Sequence, residues 1–155
     1  MAEPKFFADC MLGKLAKWLA LMGYDSRFAG AGERGDLELV GEAKKEGRIF
    51  LTRDGKIPDV RGVRKIVIKE KRLEEQLRRV LRELGLKPDR RRFFTRCAAC
   101  NAVLEPAPRE EALKAVPPRV REHAVEFFRC PACARLYWSG THVENTLKKM
   151  EQMGF

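Results

Sequence analysis

Short apolar runs alternate with amphipathic segments in the first half of the chain. Residues 6–8 and 49–51 are unbroken apolar runs, which are typical of strands buried on both faces of a parallel sheet. Weaker runs at residues 24–28 and 65–68 predict two further strands. Apolar residues recur at helical spacing in three segments, residues 12–23, 36–46 and 72–84. Strands that alternate with helices predict an α/β fold with a parallel sheet flanked by helices.

The pattern changes at residues 87–92, where a proline and a run of arginines replace the apolar periodicity. Such a segment marks a domain boundary. We therefore predict an α/β domain over residues 1–88 and a smaller domain with a C-terminal helix over residues 89–155. In the smaller domain we expect a helix at residues 109–115 and a final helix from about His142, with Thr141 and Glu144 at the spacing of a capping box.

Two Cys-x-x-Cys pairs lie in the smaller domain, Cys97 with Cys100 and Cys130 with Cys133. Four thiolates in this pattern favour a closed, structural zinc site, because each pair offers two sulfurs to one ion. The pairs are separated by 29 residues, more than is usual, so the insert between them must loop out. Two disulfides, or two separate redox pairs, are the alternative. The remaining Cys10 follows a strand and is expected to be a small core residue.

Acidic residues follow the predicted strands at one edge of the sheet. Asp9 comes directly after the first apolar run, Asp54 follows the run at residues 49–51, and Asp36 begins the second helix. Ligands of open α/β sheets bind beyond the carboxyl ends of the strands, and carboxylate oxygens suit Mg²⁺ or Mn²⁺. We therefore predict a divalent-metal site at Asp9, Asp36 and Asp54. The structural alternatives are helix caps for Asp9 and Asp36 and a turn for Asp54.

Two basic residues are candidates beside this site. Arg53 directly precedes Asp54, where its guanidinium could form two hydrogen bonds to a phosphate. Lys14 lies early in the first helix. For both residues, ordinary solvated charge is the alternative.

A G-x-G-x-x-G pattern at residues 30–35 resembles a dinucleotide fingerprint. We reject that interpretation because the strand before it is weak and the helix begins only after the third glycine.

The net charge indicates which class of partner the protein binds. The formal charge is +10, and residues 1–92 carry 23 Lys and Arg against 15 Asp and Glu. A basic domain favours a polyanion, with nucleic acid ahead of a membrane surface, and four thiolates with zinc would leave about +8 on the folded protein. Without a long apolar run or a leader, we expect a soluble, cytoplasmic protein. Few Asn and Gln beside many charged residues is a composition that high growth temperature favours.

The order of short motifs along nearly the whole chain is specific. They are F-A-D-C-M-L-G-K-L-A-K-W-L at residues 7–19, G-Y-D at 23–25, T-R-D at 52–54, R-C at 96–97, C-N at 100–101, V-P at 116–117, F-R-C-P-A-C at 128–133 and Y-W-S-G-T-H at 137–142. This series resembles the Mut-seven C-terminal RNase family, in which a PIN-like nuclease domain precedes a zinc ribbon.

The resemblance implies a metal-dependent ribonuclease, a hydrolase that cleaves RNA phosphodiester bonds endonucleolytically at a Mg²⁺ or Mn²⁺ site. Asp9, Asp36 and Asp54 would then be the metal ligands, and Lys14 and Arg53 would face the phosphate. The RNA backbone would be bound by arginines of the third helix and the linker: Arg79, Arg82, Arg90, Arg91 and Arg92. The alternative is a non-catalytic RNA-binding or ribosome-associated module in which the acids are structural.

Overall fold

The computed structural model describes residues 3–32, 34–123 and 126–155. Glu33 of the glycine-rich pattern therefore lies outside the described residues. The chain divides into two compact units, residues 1–93 and 94–155, while the domain boundary after residue 88 stays a prediction. Part of the predicted linker forms a short 3₁₀ turn, Arg90–Arg92, in the first unit. Among the described residues, no helix has both the length and the apolar character needed to cross a membrane.

Strands and helices alternate in the described part of the first unit. Their order is β1 (Lys5–Ala8), α1 (Gly13–Leu21), β2 (Asp25–Phe28), α2 (Asp36–Glu46), β3 (Ile49–Thr52), β4 (Lys65–Val67) and α3 (Leu73–Glu83). All neighbouring strands are parallel, and the sheet order is β2-β1-β3-β4. The predicted α/β fold with a parallel sheet is confirmed. The helix α2 begins after the third glycine of the rejected dinucleotide pattern, as expected.

The unbroken apolar runs are explained by helices on both faces of the sheet. Phe7 of β1 is in register with Phe50 of β3, and their stacked rings lie 6.2 Å apart. Both pack against the buried side of α2. Successive side chains of a strand point to opposite faces, so Phe6 and Leu51 face the other layer, where α1 packs with α3. The last three residues of each of these strands, 6–8 and 50–52, are therefore buried.

The strand order reverses between β1 and β3. The chain leaves β1 through α1 to reach β2 on one side, and then passes through α2 to β3 on the other side. In open parallel sheets, such a reversal leaves a crevice at the carboxyl ends of the two central strands. Asp9 and the segment Thr52 to Asp54 follow these two strands, so the topology alone places them at one edge.

The amino ends of the same strands are held together by Arg48. Its Nη1 donates to Oδ1 of Asp25 at 2.6 Å and to the carbonyl oxygen of Phe6 at 3.3 Å, and its Nε donates to Glu46 at 3.2 Å. The side chain is only 9% exposed. This guanidinium links β1, β2 and the start of β3, which makes the amino edge a structural edge.

A small antiparallel sheet with order β5-β6-β7 forms the centre of the second unit. The described elements are β5 (Glu105–Pro106), α4 (Arg109–Ala115), α5 (Pro118–His123), β6 (Phe127–Arg129), β7 (Leu136–Trp138) and α6 (Thr141–Gln152). The predicted helix at residues 109–115 is confirmed, whereas α5 was not predicted. The capping-box prediction is wrong. Gly140 is the N-cap of α6 and no side chain caps it, because Thr141 is already the first helical residue.

Truncation of the central strand should test how strongly the first unit depends on its core. Phe50 is completely buried, so Phe50→Ala should lower the free energy of unfolding by about 3–5 kcal/mol. Leu37→Ala is the matched control, because Leu37 is 65% exposed and should change it by less than about 0.5 kcal/mol. Urea denaturation measures both, and equal losses would contradict the described packing.

Candidate functional site

Asp9 joins the carboxyl ends of the two central strands. Its Oδ2 accepts hydrogen bonds from the Thr52 hydroxyl at 2.6 Å and from the Arg53 amide at 3.0 Å. Its Oδ1 accepts one from the Met11 amide at 2.9 Å, and the residue is only 6% exposed. Asp9 does not cap α1, whose N-cap is Leu12 without a side-chain hydrogen bond. The carboxylate instead fixes the turn that carries Arg53 and Asp54.

Thr52 also orients the backbone at Asp54. The Thr52 hydroxyl, which is fully buried, accepts a hydrogen bond from the Asp54 amide at 3.0 Å. Asp54 Oδ1 in turn accepts one from the Lys56 amide at 2.9 Å, so the turn role considered for Asp54 is present. The Asp54 side chain is nevertheless exposed. Sequence reasoning did not single out Thr52; a hydroxyl residue ending a buried strand just before Arg53 and Asp54 was the available signal.

Asp36 and Asp54 border the same cavity, which has a volume of about 380 Å³. Asp36 is the first residue of α2, where its negative charge is favoured by the helix dipole; its side chain makes no capping hydrogen bond. The cavity is lined by Gly35, Asp36, Leu37, Asp54, Lys56, Ile57 and Pro58. Two of the three predicted acids are thus brought to one cavity, with Lys56 as a basic neighbour that the sequence did not indicate.

A tight cluster of the three acids is not present in the described structure. Among the described residues, one group of three or more His, Cys, Asp or Glu side chains has ligand atoms all within 4.8 Å of one another, and it consists of the four cysteines. Asp9, Asp36 and Asp54 do not form such a group. The three-carboxylate metal site therefore stays a prediction.

The predicted basic residues are held in different ways. Arg53 Nη1 donates to the carbonyl oxygen of Glu70 at 2.8 Å, and the Gln76 side chain donates to the same oxygen at 2.9 Å. Arg53 is therefore anchored to the segment after β4. Lys14 is exposed in the first turn of α1. It follows Gly13, where a Cβ would lie 2.9 Å from the ring of Phe28.

Exposed apolar side chains occur beside the acids. Met11, Phe28 and Leu37 are 70%, 45% and 65% exposed; Met11 follows Asp9 closely, Phe28 ends β2, and Leu37 follows Asp36. Of these three, Leu37 lines the cavity that Asp36 and Asp54 share. Cys10 is also exposed, so its assignment to the core is wrong: it lies in the tight turn between Asp9 and α1.

The four cysteines of the second unit converge as the spacing predicted. All their Sγ atoms lie within 4.8 Å of one another, and those of Cys97 and Cys133 are 3.7 Å apart. A tetrahedral ion with Zn–S bonds of about 2.3 Å has sulfur–sulfur edges of about 3.8 Å. Cys97 and Cys130 are buried while Cys100 and Cys133 are exposed. The cluster is consistent with a structural zinc ion in a zinc-ribbon fold.

The two Cys-x-x-Cys turns have the same backbone geometry. The amides of Cys100 and Cys133 point at the sulfurs of Cys97 and Cys130, at 3.3 and 3.5 Å. Each turn closes on a residue with left-handed backbone, Asn101 with φ 67° and Ala134 with φ 62°. For Ala134 this conformation costs about 1–2 kcal/mol. The N–H groups directed at sulfur fix the side chains of Cys97 and Cys130 relative to their turns.

Tyr137 is an additional residue of the cysteine cluster. Its hydroxyl donates to Cys97 Sγ at 2.9 Å. Burial alone would raise the pKa of Cys97, but this hydrogen bond and those from the amides of Cys100 and Ala99 lower the pKa to about 6. Burial, together with the same hydrogen bond, raises the pKa of Tyr137 to about 12. Sequence reasoning treated Tyr137 only as part of an aromatic run and missed this contact.

Comparison with known protein families assigns the chain to one of them. Residues 4–150 match the model of the Mut7-C RNAse domain. The chain belongs to the Mut7-C RNase domain family. Membership implies a ribonuclease, a hydrolase whose substrate is RNA, and it confirms the resemblance drawn from the motifs. Searches of curated proteins and of solved structures returned no match.

The arginines expected to bind RNA in this Mut7-C domain are partly engaged within the chain. Arg91 is paired with Asp89 through two contacts at 3.0–3.1 Å, and hydrogen bonds from Arg91 lower the pKa of Asp89. Arg92 pairs with Glu3 and donates to the Gly23 carbonyl at 2.8 Å.

On α3, Arg79 bridges Glu70 at 3.1 Å and Glu83 at 2.8 Å, while Arg82 is exposed, as is Arg90 in the linker. Carboxylate partners reduce the net attraction of Arg79, Arg91 and Arg92 for phosphate. The RNA-binding role of the five arginines stays a prediction.

The hydrogen-bond chain at the sheet edge can be tested on Thr52. Thr52→Val keeps the shape but leaves the Asp9 carboxylate and the Asp54 amide without their partner, so the free energy of unfolding should fall by about 1–3 kcal/mol. Thr52→Ser retains the hydroxyl, loses one methyl group, and should cost no more than about 1 kcal/mol. Urea denaturation compares the two, and a valine variant as stable as the parent would show that the hydroxyl contributes nothing.

The contact between Tyr137 and Cys97 predicts an effect on metal retention. Tyr137→Phe removes the hydroxyl that orients the sulfur, and loss of such a supporting group lowers metal affinity about 10–100-fold. Zinc transfer to a chromogenic chelator should show this. Tyr24→Phe is the matched control in the first unit and should release zinc as the parent does. Unchanged release from the Tyr137 variant would remove Tyr137 from the zinc centre.

Proposed function

We propose that the chain is a metal-dependent ribonuclease that hydrolyses RNA endonucleolytically at the carboxyl edge of its parallel sheet. Family membership implies the ribonuclease activity. The location rests on one observation: Asp36 and Asp54 line a common cavity next to the reversal in strand order. This is the position at which open α/β sheets bind their ligands.

The donor set at this cavity fits Mg²⁺ or Mn²⁺. These ions are commonly held by one or two carboxylates together with water and substrate phosphate, so Asp36 and Asp54 suffice as protein ligands. Asp9 Oδ1 accepts a single hydrogen bond among the described residues, and a carboxylate oxygen has room for more than one partner. Asp9 therefore has two roles in the proposal, as a third ligand and as the residue that fixes the Thr52 turn.

Basic and apolar groups at the same edge of the sheet complete the proposed site, and Lys56 among them lines the cavity itself. A divalent ion supplies charge neutralisation at the phosphate and makes a water molecule more acidic. Arg53, anchored at the Glu70 carbonyl, would donate to a phosphate oxygen and steady the leaving oxygen as charge develops. Lys14 and Lys56 would add positive charge to attract the RNA backbone. The exposed side chains of Met11 and Phe28 offer apolar surface for bases.

Substitution of the two cavity acids tests this proposal. Asp36→Asn and Asp54→Asn should each reduce cleavage of a labelled RNA at least about 100-fold, which corresponds to about 2.7 kcal/mol of transition-state stabilisation. Glu75→Gln is the control, since Glu75 is an exposed acid of α3. Cleavage should require added Mg²⁺ or Mn²⁺, and internal product ends would show endonucleolytic attack.

The binding-module alternative has an observation in its favour. Both oxygens of Asp9 already accept internal hydrogen bonds, which is what a purely structural acid would do. Under this alternative the parent protein binds RNA or ribosomes, and metal-dependent cleavage is absent. Cleavage that persists equally in the Asp36 and Asp54 variants would come from a contaminating nuclease and would also refute the catalytic proposal.

A further inference from the structure

The second unit contains a cavity of about 220 Å³ that neither the zinc centre nor the proposed catalytic edge uses. It lies among α5, the end of β7 and the start of α6. The described residues of its lining provide two basic side chains, an indole and two hydroxyl groups, and none of them is an acid: Arg119, Val120, His123, Trp138, Ser139, Gly140 and Thr141.

The basic side chains of this cavity are not neutralised. Arg119 and His123 are four residues apart on α5, so they lie on the same side of the helix, one turn apart. Both are exposed, and neither forms an ion pair or a side-chain hydrogen bond with any other residue that the structure describes. Several arginines of the first unit, in contrast, are paired with carboxylates. The cavity therefore favours an anion.

The start of α6 adds donors to the same space. Gly140 is its N-cap and makes no side-chain cap, so the first amides of the helix are not satisfied by a capping side chain. Such amides attract phosphate groups. The hydroxyls of Ser139 and Thr141 lie in the same lining and are exposed. They can hydrogen-bond to the phosphate that Arg119 and His123 attract.

The indole of Trp138 forms the aromatic part of the lining. Its ring packs against Phe127, with centroids 6.3 Å apart, and it remains half-buried. A Cβ at position 140 would lie 3.3 Å from Trp138 Cδ1 and Nε1, so glycine there leaves this edge of the indole uncrowded. An aromatic ring beside an arginine and an imidazole is a combination that proteins use to stack a base and hold its phosphate.

We propose that this cavity binds one nucleotide of an unpaired RNA segment. The phosphate would lie against Arg119, His123 and the start of α6, and the base against Trp138. The base must be unpaired, because base faces are not accessible within a duplex. The identity of the polymer rests on the proposed function, and the inference extends that function by making the second unit a substrate-binding unit.

The experiment measures RNA affinity of the full, zinc-loaded chain. Fluorescence anisotropy of labelled decauridylate, without added Mg²⁺ or Mn²⁺, gives the dissociation constant. Arg119→Gln combined with His123→Gln should weaken binding about tenfold through the loss of two phosphate contacts. Arg121→Gln is the matched control: it removes an exposed charge of the same helix that does not line the cavity, and it should weaken binding less than about twofold.

Two further measurements distinguish the loss of a binding contact from a loss of folding. Ser139→Glu places a negative charge in the lining at an exposed position and should also weaken binding, while zinc content and circular dichroism stay unchanged. In a Trp18→Phe background the tryptophan emission comes from Trp138, and it should be quenched by decauridylate. An equal affinity of parent and double variant, or no quenching, would overturn the inference, and so would a preference for duplex RNA.

Failure of this inference is distinguishable from failure of the ribonuclease proposal. Asp54→Asn should reduce cleavage at least about 100-fold, whereas decauridylate binding is measured without Mg²⁺ or Mn²⁺ and therefore reports on Arg119 and His123 whether or not the chain cleaves RNA. Loss of binding in the Arg119 and His123 double variant supports the inference even if the parent does not cleave RNA. Unchanged binding in the double variant overturns it even if cleavage depends on Asp54.

Discussion

The carboxylate of Asp9 is the interaction on which the sheet edge depends. It accepts hydrogen bonds from the Thr52 hydroxyl and the Arg53 amide, so a side chain after β1 sets the backbone after β3. Arg53 and Asp54 therefore have a defined direction although they lie beyond the last residue of a strand. Burial of a polar group without hydrogen bonds is costly, and the three donors that contact Asp9 replace the water that this side chain loses on folding. The Asp9 carboxylate thus holds the turn after β3 and is also a ligand in the proposed metal site.

The second unit is maintained by different means. Its described core cluster has three buried members, Ala112, Val116 and Phe127, with partly buried side chains packed against them, and a domain of this size is only marginally stable by burial alone. The four-cysteine cluster compensates, because metal binding contributes directly to folding in such small domains.

Much of the fold was predictable because its signals are local. The run around Phe50 is apolar at every position, which is typical of a strand covered on both faces, and the cysteine spacing favoured one site for all four sulfurs. The site was less predictable, since it depends on contacts between distant segments. The sequence shows a hydroxyl residue just before Arg53 and Asp54, but not that it contacts Asp9, which lies 43 positions earlier. The turn that exposes Cys10 follows from the direction of the chain after β1.

The anchor of Arg53 has a consequence for variation in the chain. The guanidinium is held by the main-chain oxygen of residue 70, whereas the side chain of Glu70 pairs with Arg79 on α3. Because every amino acid supplies a carbonyl, replacement of Glu70 would disturb the ion pairs of α3 and leave the hold on Arg53 intact. The orientation of the Arg53 guanidinium therefore does not depend on which amino acid occupies position 70.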